Sequence, residues 1–193
     1  FQYRLTYKYD EKNHLIEETN ALGQTRSAKY DISGNRYFYQ DFGAIETETS
    51  EYDFSNRPIR KIFKDSKKER IFEYSYDTKH RLEWESDERG HKTHYKYDLL
   101  GRCIEMAGPA VVTEQGIVYP ITKKSYDIFG NETLHINPDG VQTKTQYNAH
   151  GKPIHIVHPD GTEEHFTYTL KGSLESHIDV NGITTRYIRD YLD

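Results

Sequence analysis

Cysteine, methionine and tryptophan each occur once in the 193 residues. The lone Cys103 excludes an internal disulfide framework, and it leaves the compartment open because a repeat fold can be secreted without disulfides. No apolar run approaches the roughly 18 residues that a membrane span needs. An excess of basic charge is also missing. Lys plus Arg total 26 against 31 Asp plus Glu, for a net charge of −5, which removes the electrostatic footprint of a nucleic-acid binder. Leu, Ile, Val and Phe together are 40 of the 193 residues, close to the level at which a chain fails to fold. Against that stand 17 tyrosines, whereas disordered segments are poor in aromatics. Tyrosine is a strand former with an apolar ring and a polar tip, suited to a sheet without a deep oily core. The composition describes a soluble, all-β chain.

A repeat accounts for those tyrosines. Tyr-Asp recurs at Tyr9, Tyr30, Tyr52, Tyr76, Tyr97 and Tyr126, weakens to Tyr147-Asn148 and Tyr168-Thr169, and ends in the same frame at Arg189-Asp190. The intervals are 21, 22, 24, 21, 29, 21, 21 and 21 residues. Such a period is the signature of a repeat architecture. The two longest intervals read as insertions, of three residues around Asp65–Glu69 and of eight within Ala107–Pro120.

Each repeat carries two turn signals. Four residues after the tyrosine slot stand Asn13, Gly34, Asn56, His80, Gly101, Gly130, Gly151, Gly172 and finally Asp193, all residue types that tolerate positive φ. With Asp at the first turn position, this suits a type I turn followed by a left-handed residue, a common three-residue hairpin loop. Ten residues later comes a second signal, as in Asn20–Gly23, Asp87–Gly90, Asn137–Gly140, His158–Gly161 and Asp179–Gly182. The unit is therefore strand, turn, strand, turn, and Gly101, Gly140, Gly161 and Gly182 are expected at positive φ.

The strands alternate. Thr93, Tyr95 and Tyr97 share one face, as do Phe72, Tyr74 and Tyr76, and Leu5, Tyr7 and Tyr9. The second strand of each unit is less regular: Leu134 and Ile136 define one apolar parity, while Ile154 and Ile156 fall on the other. Eight units of two strands predict about 16 antiparallel strands and, at about 4.8 Å per strand, a sheet about 77 Å wide. A sheet of that width is expected to twist and curl. No helix is expected outside the Ala107–Pro120 insertion.

The unit Tyr95-Lys96-Tyr97-Asp98-Leu99-Leu100-Gly101-Arg102, with the second turn Asn137-Pro138-Asp139-Gly140, resembles the YD-repeat, or Rhs-repeat, family. The resemblance covers essentially the whole chain. Members include bacterial Rhs and toxin-complex C proteins and the animal teneurins. It implies an all-β array, residues 1–193, of about eight hairpin repeats in one wide, curled, spiralling sheet, a section of a hollow β-shell. It also implies a non-catalytic scaffold that encloses a polypeptide cargo such as a toxin, without cofactor or metal, secreted or at the cell surface. The alternative that the family leaves open is a cell-surface adhesion or carbohydrate-binding module. The aspartate self-cleavage segment that ends bacterial shells is not found among these residues. The chain starts and stops inside a repeat, so it is expected to be a wall segment of a longer polypeptide whose remaining repeats are its partners. An isolated segment is then expected to self-associate through strand edges.

Other chemistry is weaker. His150, His155, His158 and His165 suggest a zinc site, but His158 fills a turn slot and His165 shares its repeat position with His94, so the structural reading is preferred. Glu46/Glu48 and Glu83/Glu85 lie two apart, as on a solvated strand face. Cys103 beside a turn reads as packing. The Asp-x-x-Gly turns lack the spaced carboxylates of a calcium loop. The tyrosine ladder keeps two readings: mutual packing, which is preferred, or a platform for glycans.

Overall fold

A computed structural model describes residues 4–189. Tyr3, Asp190 and Asp193, to which the repeat frame extends, lie outside the described residues. Those residues contain nineteen strands and no helix, and they group into two compact units that divide within the ninth strand, between His94 and Tyr95.

The first unit holds β1 (Thr6–Tyr9), β2 (Leu15–Thr19), β3 (Thr25–Tyr30), β4 (Arg36–Gln40), β5 (Thr47–Tyr52), β6 (Pro58–Lys64), β7 (Glu69–Tyr76), β8 (Leu82–Ser86) and the start of β9 (Lys92–Tyr97). The second holds the rest of β9, then β10 (Cys103–Ala107), β11 (Val111–Thr113), β12 (Gly116–Val118), β13 (Ile121–Tyr126), β14 (Glu132–Ile136), β15 (Gln142–Tyr147), β16 (Pro153–Val157), β17 (Glu163–Tyr168), β18 (Leu174–Ile178) and β19 (Thr184–Arg186). Seventeen strands belong to one antiparallel sheet and β11–β12 form a separate pair. The seventeenth strand, β19, opens the ninth frame, which is why the count exceeds the sixteen expected from eight units.

Each tyrosine slot closes a strand, and the turn after it has one construction. Asp98 donates its backbone N–H to the Arg102 carbonyl at 3.0 Å, and Gly101 donates to the Asp98 carbonyl at 3.1 Å. Gly101 sits at φ 85°, where a Cβ is strained and glycine is favoured. Asn13 and Asn56, at φ 66° and 60°, show that asparagine also fills this slot. The pairing register shifts beside the tyrosine, as between Ser125 and Tyr126, so the turn carries a bulge that fixes which face each side chain takes.

The insertions differ in kind. The three residues near Asp65 lengthen a hairpin: β6 and β7 run to 7 and 8 residues and turn through Asp65–Lys68. The Ala107–Pro120 insertion, the one segment whose sequence leaves room for a helix, is a small hairpin instead, with Val111 opposite Val118 and Thr113 opposite Gly116. The unbroken β-branched runs Val111–Thr113 and Ile117–Val118, on either side of a turn with Gly116 at φ 121°, favour strands over a helix. At its base Ala107 pairs with Ile121, so β10 and β13 stay neighbours.

Burial explains the mixed parity of the second strands. Among the described residues Ala28 is the single buried apolar residue, with Ser50 and Ser86 the buried polar ones. Neither face is a core. Along second strands such as β14 and β16 the side chains on both faces are half-buried, so Leu134 and Ile156 on opposite faces are equally tolerated.

Candidate functional site: the turn edge and its tyrosines

The eight repeat tyrosines, Tyr9, Tyr30, Tyr52, Tyr76, Tyr97, Tyr126, Tyr147 and Tyr168, each end a strand. Tyr52, Tyr76, Tyr126, Tyr147 and Tyr168 each reach back one repeat. The Tyr52 hydroxyl donates to the Arg36 carbonyl at 2.8 Å, Tyr76 to Pro58 at 2.9 Å and Tyr126 to Cys103 at 2.9 Å. Tyr147 donates to Glu132 at 3.0 Å and Tyr168 to Pro153 at 2.9 Å. Every acceptor is the first residue of the second strand in the preceding repeat. Where the frame replaces tyrosine by Arg189, its guanidinium donates to the equivalent Leu174 carbonyl. Partial burial pushes the Tyr76 and Tyr168 hydroxyls above their ordinary pKa, so they remain donors at neutral pH.

The turn aspartate organises the next link. Asp98 Oδ1 accepts the amides of Leu100 and Arg102, both at 2.9 Å, while Oδ2 accepts Arg102 Nε at 2.6 Å. Asp53 with Arg57 and Asp77 with Arg81 repeat this geometry. These bonds hold the carboxyls below the usual carboxylate range: the Arg57 side chain is the leading cause at Asp53, and the backbone amides of Arg81 and Arg102 lead at Asp77 and Asp98.

Held this way, the residue five past the tyrosine lies over the next repeat. Arg57 Cζ stands 4.4 Å from the Tyr76 ring centroid, Arg102 4.9 Å from Tyr126, and Lys152 Nζ 5.3 Å from Tyr168. His14 stacks on Tyr30 at 4.6 Å. Arg102 also donates to the Asp127 carbonyl at 2.6 Å, and Lys152 to that of Gly172. Sequence reasoning missed this five-residue offset, although its signal is plain: His14, Asn35, Arg57, Arg81, Arg102, Asn131 and Lys152 are all hydrogen-bond donors. The preferred reading of the tyrosines as mutual ring packing is thus replaced, at these positions, by hydroxyl–carbonyl bonds and cation–ring contacts.

The eight turn glycines (Gly34, Gly101, Gly130, Gly151 and Gly172 after the tyrosines, Gly140, Gly161 and Gly182 in the second turns) have φ between 71° and 95°. Outside this frame, Glu46 pairs with Arg70 at 2.6 Å and Glu48 with Arg36 at 3.3 Å, so that carboxylate pair is bound up in ion pairs. Cys103 is half-buried with its Sγ 3.5 Å from the Glu105 carbonyl. Of the four histidines, His155 and His165 come together, stacked at 4.3 Å between ring centroids. His158 instead bonds Glu164, whose other oxygen accepts His177, and His150 is exposed in a turn. No helix among the described residues is long and apolar enough to cross a membrane.

By fold, then, the chain is an antiparallel array of β-hairpin repeats tied edge to edge. The particular fold is that of crystal structures of TcdB2-TccC3: one superposes with TM-score 0.73 at 13% identity over 96% of this chain. A second, TcdB2-TccC3 without its hypervariable C-terminal region, gives 0.72 at 13% identity, also over 96%. An array of this fold is what the YD-repeat resemblance implied. The chain spans about a tenth of their length. No family model and no curated protein matches the sequence.

Proposed function

We propose that this chain is a non-catalytic wall segment of a YD-repeat shell that encloses a polypeptide cargo such as a toxin, in a secreted or surface-exposed protein. The observation that carries the reading is where the repeat spends its polar chemistry. Tyrosine hydroxyls and the cations five residues on reach the adjacent repeat, and the turn aspartates hold those cations in place. A series of links between neighbours is what a quasi-one-dimensional array requires, and an array of this kind has its remaining repeats as first partners. The likeness in fold to TcdB2-TccC3 supports the same reading. The glycan alternative needs open aromatic faces, and cations already cover Tyr76, Tyr126 and Tyr168.

The test uses the parent polypeptide with whatever follows the repeats. A downstream segment that resists added protease while the shell is intact, and is cut once the shell is opened by mild denaturant, supports enclosure. A segment cut at equal rates in both conditions, together with retention of the chain on glycan-coated beads, would favour the adhesion module.

A further inference from the structure

We propose that β16 and β17 carry a divalent transition-metal site, suited to Zn²⁺, formed by His155, His165 and Glu163. The hairpin places these groups by register: His155 is the direct cross-strand partner of His165, and Glu163 lies two residues before His165, hence on the same face. Gly161 at φ 83° closes the connecting turn and fixes that register.

The donor atoms converge. Glu163 Oε2 lies 3.0 Å from His155 Nε2 and 3.5 Å from His165 Nε2, and all three ligand atoms fall within 4.8 Å of one another. Ligands about 2.0–2.2 Å from a tetrahedral Zn²⁺ are about 3.3 Å apart. The two carboxylate–imidazole separations bracket that spacing. The rings stack nearly parallel, 7° between planes, and His155 bonds Glu163 at 3.0 Å, so binding an ion exchanges that bond for coordination and turns the two imidazoles toward a common point. Two imidazoles and a carboxylate are hard-to-borderline donors that suit Zn²⁺. His165 and Glu163 are about half exposed, so a fourth position stays open to water or to a donor from another molecule.

The repeat does not demand these residues. The same cross-strand slot holds Leu134 with Lys144, Trp84 with His94, Arg60 with Glu73, and Glu105 with Lys123. The Glu163 position is Gln142, Ile121 and Lys92 in the three repeats before it. A histidine pair with a carboxylate beside it in these slots is particular to this hairpin.

Isothermal titration of the chain with ZnCl₂, paired with the visible spectrum of the Co²⁺ form, tests the site. We expect one ion per chain and at least tenfold weaker binding in His155→Ala and in His165→Ala, with His91→Ala unchanged. His155→Leu with His165→Lys copies the pair that a neighbouring repeat already folds around, so it separates loss of metal from loss of fold: it should keep the circular dichroism of the parent and lose both the zinc heat and the cobalt bands. Zinc binding by that double variant as tight as by the parent chain, or no zinc uptake by the parent, overturns the proposal.

Discussion

A single hydroxyl links one repeat to the one before it. Tyr147→Phe removes the bond to the Glu132 carbonyl and should lower stability by about 0.5–1.5 kcal/mol, the ordinary net worth of such a bond. Tyr9 is more than half exposed in the first repeat, and Tyr9→Phe should stay within about 0.5 kcal/mol; urea denaturation of both variants gives the comparison. At the turn, Gly101→Val forces a branched side chain into φ 85° and should cost more than about 1 kcal/mol. Gly101→Asn should be much milder, because Asn13 and Asn56 already occupy the slot; equal losses would contradict the left-handed geometry. The aspartates give a pH signature. Their folded pKa values are lowered, so their contribution is fully present above the unfolded carboxylate value near pH 4 and is lost as pH falls through the folded values. Thermal melts should show a flat neutral plateau and an acid decline, and Asp98→Asn, which mimics Asn148, should make that decline shallower.

At the scale of the element, the strands and turns were legible because two periods coincide. Alternation along Phe72–Tyr76 is a strand signal, and a positive-φ residue every 21 positions is a turn signal. What remained hidden is what only the third dimension brings together. The recurring donor five past each tyrosine is legible, but no local rule assigns Arg102 to the Tyr126 ring 24 residues later, and Glu163 gains meaning only when pairing sets His155 against His165. The Ala107–Pro120 insertion breaks the repeat frame, so Val111–Val118 had no neighbour from which to borrow a reading. That hairpin stands on a base already closed by Ala107–Ile121 pairing and by the Gly108 amide bonded to the Pro120 carbonyl at 2.9 Å. Replacing residues 109–119 by Asn-Gly should therefore leave stability within about 1 kcal/mol, since a short hairpin loop suits adjacent antiparallel strands. A loss of cooperative unfolding in that deletion would mean that β11 and β12 support the sheet.

At the scale of the whole molecule, the absence of a core among the described residues sets the behaviour. With Ala28 as the one buried apolar side chain, stability rests on links from repeat to repeat rather than on a shared interior. Large apolar residues stand exposed at the turn tips, among them Phe54, Leu99, Ile128 and Leu170, and in a longer array further sheet is the natural cover for them. The 193 residues taken alone should relieve both their strand edges and these tips by pairing with copies of themselves. Sedimentation velocity over a hundredfold range of concentration measures this directly. The wall-segment account predicts a sedimentation coefficient that rises with concentration as copies associate. A stable, cooperatively folded monomer across the whole range would contradict it, because the chain would then satisfy its own edges and need no neighbouring wall.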